Sequence, residues 1–138
     1  MKIRLLTLLL LSISFTSIAQ TNCDSPTMVA FGASEKALAD TAPILDFPGV
    51  FTFRLEPNTS CPAAVAYEAV EGMAYYMKGG KLVDERSFKG SSFVAVPWRD
   101  NAKPGDRVTI QVTHFYGTNA KGQKKAFTKP VIKIITFR

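Results

Sequence analysis

The chain has 138 residues, with 17 Lys or Arg against 11 Asp or Glu, one His and two Cys. At 46% hydrophobic and 20% charged it has the composition of one folded domain, which excludes a disordered tail and leaves no room for two domains. One histidine and two cysteines exclude a site built from several imidazoles and a thiolate zinc cage, so no metal or other cofactor is expected.

Met1-Lys2-Ile3-Arg4 is a short basic start, and residues 5–15 form an apolar run well short of the ~20 residues that a spanning helix needs. Ser17 and Ala19 then give the small-x-small pattern read by signal peptidase. Residues 1–19 are therefore expected to be a signal peptide cleaved before Gln20, leaving no membrane span. An uncleaved N-terminal anchor is the alternative. Lipidation at Cys23 is not expected, because Gln20-Thr21-Asn22 is polar where a lipidation signal has small residues. The expected location is the periplasm, the exterior or the cell surface, where nucleic acid is not an expected partner.

Loss of Lys2 and Arg4 takes the net charge from +6 to +4. The charge is uneven: residues 20–77 carry two basic and seven acidic side chains, and residues 78–138 carry thirteen basic and four acidic. This reads either as a solvated surface or as a basic face for an acidic partner. In an exported protein Cys23 and Cys61 can form a disulfide, which would close a loop of about 40 residues and stabilise the fold by roughly 4 kcal/mol in the chain-entropy account. A redox pair would show Cys-x-x-Cys spacing, which is absent.

Residues 20–45 are expected to form an N-terminal segment tethered to a domain spanning 46–138. Within that segment, residues 28–31 suggest a first strand, and residues 34–39 a short helical turn at most, stopped at Thr41-Ala42-Pro43. Residues 50–55 alternate cleanly, with Phe51, Phe53 and Leu55 on one face and Thr52 and Arg54 on the other. Residues 56–60 read as a loop, and 63–70 as extended. Gly79-Gly80 between two apolar runs signals a two-residue hairpin, since both central positions of a type I′ turn need positive φ. Residues 92–96 suggest a strand closed by Pro97. Lys103-Pro104-Gly105-Asp106 is a tight turn into the clearest strand, where Val108, Ile110 and Val112 share a face. Residues 118–122 form another turn. Residues 131–137 are apolar on both faces, which predicts a central or covered strand.

Six to eight short strands with turns about every ten residues predict an all-β fold, an immunoglobulin-like antiparallel β-sandwich. No long amphipathic pattern supports a parallel α/β alternative.

Catalytic chemistry is sparse. His114 extends the Val108-Ile110-Val112 face as a half-packed strand-end histidine, and no Gly-x-Ser-x-Gly elbow is present. Glu68 with Glu71, or Asp84 with Glu85, could be imagined as a glycosidase pair but read more simply as surface charge. Lys78-Gly79-Gly80-Lys81 lacks the following helix of a phosphate loop. Asn58-Thr59-Ser60 fits a glycosylation sequon. If residue 108 faces the core, simple alternation turns Phe115 outward beside Tyr116, and these two with Lys121, Lys124 and Lys125 form the candidate interaction surface. The expectation is a non-enzymatic protein that contacts another envelope protein, with a carbohydrate or envelope-polymer binding module as the alternative.

Phe93, residues 101–110, residues 117–123 and residues 129–134 together resemble the C-terminal domain of the gliding-motility protein GldM. The shared features are a Pro-Gly-Asp-Arg turn before a strand, a Gly-containing hairpin and a Pro-initiated last strand. The resemblance covers about residues 46–138. It implies an immunoglobulin-like periplasmic module making protein contacts in the type IX secretion and gliding machinery of Bacteroidota. The chain is expected to depart from that family in having neither its N-terminal membrane helix nor its tandem domains.

Overall fold

The structure, a computed structural model, describes residues 25–58 and 64–138. The expected signal peptide, Cys23, Cys61 and all of the sequon except Asn58 lie outside the described residues. The elements in chain order are β1 (Thr27–Phe31), β2 (Thr41–Ala42), β3 (Val50–Glu56), β4 (Ala64–Lys78), β5 (Lys81–Lys89) and β6 (Ser92–Val94). A short helix α1 (Val96–Asn101) follows, then β7 (Arg107–Asn119), β8 (Lys124–Phe127) and β9 (Val131–Phe137). Two sheets pack face to face, as the alternation predicts. One has the order β1-β3-β6; the other runs β2-β9-β7-β4-β5, with β8 pairing β7 beyond the end of β9. The strands are more numerous than expected, and β2 pairs parallel to β9 while the other pairings are antiparallel.

Residues 27–42, expected as a tethered segment, supply β1 and β2, and their Met28, Ala30, Leu38 and Ala42 enter the core. In β3 the aromatic alternation works as read: Phe51, Phe53 and Leu55 point inward and Thr52 and Arg54 outward. Each such Phe contributes about 1.5–3 kcal/mol by leaving water. The rings interlock: Phe51 stacks on Phe93 with centroids 5.1 Å apart, and Tyr76 stacks on Trp98 at 5.3 Å. Gly79 and Gly80 have φ of 56° and 76°, as the β4–β5 hairpin requires.

Four local expectations are corrected. Residues 34–39 form no helix: Phe31 and Ala37 make an isolated bridge, and Glu35 sits at φ 60° in the turn between them. The strand at 92–96 ends at Val94, because Pro97 fits the first turn of a helix, and α1 forms there with Trp98 buried beneath it. The last strand is not covered on both sides: Ile135 and Phe137 are buried, but Ile132 and Ile134 are 55% and 47% exposed on the outer face.

The fourth correction concerns β7. Its register against β4 shifts three times, and the shifts at Glu71/Gly72 and Ala69/Glu71 pair Gly72 with Val112, Glu71 with His114 and Ala69 with Phe115. Thr113 is the extra residue on β7 and Val70 the extra residue on β4, and each reverses the inside–outside phase of its own strand beyond it. Phe115 is therefore buried, 1% exposed, and His114 is the residue that faces solvent. Gly72 permits the slip, since a β-carbon there would collide with the Gln111 carbonyl oxygen and lie 2.6 Å from Phe88.

Candidate functional site

The slip divides the large sheet lengthwise. Below it, β4 and β7 are flanked by β5 and β9 and covered by the small sheet. Above it, residues 64–70 of β4, residues 115–119 of β7, and β8 form a three-stranded arm. The inner face of the arm holds Phe115 and Phe127, stacked at 5.0 Å, with Tyr67 edge-on to Phe115 at 5.9 Å. Gly117 leaves room for these rings, since a β-carbon there would lie 2.9 Å from Phe127.

Of the five residues expected at an interaction surface, Tyr116, Lys121, Lys124 and Lys125 are exposed on this arm, and Phe115 is instead its buried anchor. The β7–β8 pairing puts Lys124 on the outer face with Tyr116, and Lys125, opposite Gly117, on the other face with Phe127; Lys121 stands in the connecting turn. Asn119 shapes the connecting turn, its Oδ1 accepting from the Lys121 and Gln123 N–H groups at 3.0 Å. Lys124 Nζ lies 5.9 Å above the Tyr116 ring, and Lys125 Nζ 5.0 Å above Phe127. Glu68 is the acid nearest Lys124, at 3.9 Å, a long contact between exposed groups that contributes little. From Arg107 to Arg138 the chain has seven Lys or Arg and no Asp or Glu.

Sequence reading missed a second feature on the same sheet. β9 continues the line of β8 along the edge of β7, and its far side is paired to β2 only at Thr136 and Phe137. Ile132 and Ile134 stand there beside a shallow depression of about 710 Å³ lined by Thr41, Arg107, Lys133 and Thr136. Lys133 turns aside to Asp40, with Nζ to Oδ1 at 2.6 Å. The available signal was the period-two pair Ile132 and Ile134, which an apolar run on both faces concealed.

The other clusters have the geometry of supports. Glu71 Oε1 and Thr113 Oγ1 both approach His114 Nδ1, at 2.9 and 3.3 Å, so base, acid and hydroxyl do not line up across the two ring nitrogens as a catalytic relay needs. Trp98 Nε1 donates to Asp84 Oδ2 at 2.8 Å, and this bond is the main cause holding the Asp84 carboxyl below its ordinary range. Of the other acids weighed for catalysis, Glu85 is exposed. Among the described residues no group of three or more His, Cys, Asp or Glu could hold a metal, and no helix is long and apolar enough to cross a membrane. Comparison of the chain with protein-family models, with curated proteins and with solved structures finds no match to any of them.

Proposed function

We propose that this chain is an exported, non-enzymatic β-sandwich that contacts another protein of the bacterial periplasm or cell surface. The observation that carries the reading is the pair Ile132 and Ile134, about half exposed side by side on an open sheet edge. A folded domain ordinarily hides or charges such an edge. The resemblance of residues 46–138 to the GldM C-terminal domain supports the same class of role. A glycan-binding module calls for adjacent exposed rings on which sugars stack. Among the described residues Tyr116 is the only broadly exposed ring, and the Lys124 ammonium lies over it. That arrangement favours a protein partner.

The test is affinity capture from envelope extract by the mature protein and by Ile134→Glu, beside a glycan array. A protein retained by the parent and lost from the folded variant supports the reading. Recovery of sugars alone overturns it.

A further inference from the structure

Among the described residues the strand edges of the sandwich differ in how well they are guarded. In the small sheet, β6 has three residues and is short enough to offer little. At the far side of the large sheet, β5 is interrupted by a register shift opposite Tyr76 and Met77, and it presents charges of both signs from Lys81 to Lys89. Its Asp84 and Arg86 also turn inward toward Trp98. These are devices that close an edge to other chains. The outer edge of β1 is filled at one end by the returning chain, the Leu38 N–H donating to the Ala30 carbonyl at 2.7 Å and Phe31 bridging Ala37. The β8–β9 edge is different: two collinear strands, the lysines Lys124, Lys125 and Lys129 at one end, two exposed isoleucines at the other, and no acid anywhere in the segment.

We infer that this edge receives an extended acidic segment of a partner protein, added as a further strand. Its acidic residues, consecutive in sequence so that they reach both faces of β8, would lie against Lys124, Lys125 and Lys129, and its apolar residues against Ile132 and Ile134. The inference rests on the protein-binding reading above and names the chemistry of the partner. Charge decides the occupant. A second copy of the chain would bring lysine against lysine, which repels; an acidic strand meets the same row with attraction. Lysines on an exposed edge exclude self-pairing, and here they leave one kind of strand able to pair. Exposed lysines alone are screened within about 8 Å at physiological salt, so the isoleucines and the backbone ladder supply the short-range part. The ammonium groups over Tyr116 and Phe127 block the two ring faces that a sugar would use.

The test uses the mature full chain and a fluorescent decapeptide with Glu in one half and Val in the other. A Lys–Val peptide and polygalacturonate serve as comparators. The expected result is saturable binding of the Glu–Val peptide alone, with slowed amide exchange at residues 124–127 and 131–134. Lys124→Glu with Lys125→Glu should weaken that binding about tenfold or more. Equal binding of polygalacturonate, or peptide binding without added amide protection, overturns strand addition. If the double variant does not fold, amide exchange in the parent decides alone. A captured envelope protein that is lost with Ile134→Glu but kept by the double variant defeats this inference while leaving the proposed function standing.

Discussion

Tyr76 and Asp106, thirty residues apart in the chain, meet inside the sandwich, the phenol hydroxyl donating to Asp106 Oδ2 at 2.5 Å. The same oxygen accepts from Lys78 Nζ at 2.6 Å and from the Lys103 N–H at 2.8 Å. Lys78 also donates to the Asn101 carbonyl at the end of α1, at 2.6 Å. One carboxylate thus ties β4, the last turn of α1 and the entry to β7. Asp106→Asn removes the charge that three donors share and should cost about 2–3 kcal/mol, read as a fall in the denaturation midpoint with an unchanged slope.

The same group makes stability depend on pH at both ends. Burial by itself pushes the Asp106 carboxyl up, but hydrogen bonds from Lys78, Tyr76 and the Lys103 N–H outweigh it and hold it below the ordinary 3.8. A depressed carboxylate stabilises fully above that ordinary value, and its contribution disappears as pH falls through the folded value. Tyr76 is shifted the other way, by burial first and by the Asp106 bond second, so its contribution holds below pH 10 and is lost as pH rises through the folded value. Melting temperature against pH should therefore drop on an acid and an alkaline limb. Asp106→Asn should flatten the acid limb and only reduce the alkaline one, because burial is the first cause of the Tyr76 shift; an unchanged acid limb would refute the assignment.

Gly72 is the hinge of the register slip. Gly72→Ala puts a methyl against the Gln111 carbonyl and Phe88, and should cost about 3 kcal/mol or more, because the nearest obstacle is backbone and cannot swing away. Gly79→Asn is the control. Nothing lies within 4 Å of a β-carbon there, and asparagine tolerates φ 56°, so stability should change by less than about 1 kcal/mol. Chemical denaturation of the two variants separates steric demand from loss of glycine as such.

Glu35 sits at φ 60° with its N–H donating to the Gly32 carbonyl at 3.0 Å. The long side chain of glutamate does nothing to favour that region, whereas the short amide of asparagine hydrogen-bonds locally and does. Glu35→Asn should raise stability by about 0.5 kcal/mol. A lower melting temperature would show that the glutamate side chain earns its place by a contact.

Cys61→Ser should lower the melting temperature in oxidising buffer and leave it unchanged in reductant, as expected for a bond between Cys23 and Cys61 that restricts the unfolded chain. Equal melting of variant and parent in oxidising buffer disposes of the bond.

The legible part of the fold was local. Phe51, Phe53 and Leu55 declare their face because a pleated strand has a period of two, and Gly79-Gly80 declares a hairpin because two successive positive φ values suit little else. The Lys103–Asp106 turn was equally plain: Gly105 sits at φ 97° and the Asp106 N–H returns to the Lys103 carbonyl. The four exposed members of the arm, Tyr116 with Lys121, Lys124 and Lys125, were found from composition and turn position.

What tertiary structure alone decided lies where two strands negotiate. Polar His114 falls on the core phase of a strict period two and apolar Phe115 on the solvent phase, but only the pairing with β4 shows that Thr113 is the extra residue. The extra residue turns Phe115 inward and His114 out, and Gly72 on the neighbouring strand leaves room for it. Likewise, residues 131–137 have two apolar faces in the sequence, and whether the second is covered depends on which strands lie beyond β9. A chain encodes its own alternation; the phase of that alternation, and what covers each side, belong to contacts between segments far apart in sequence.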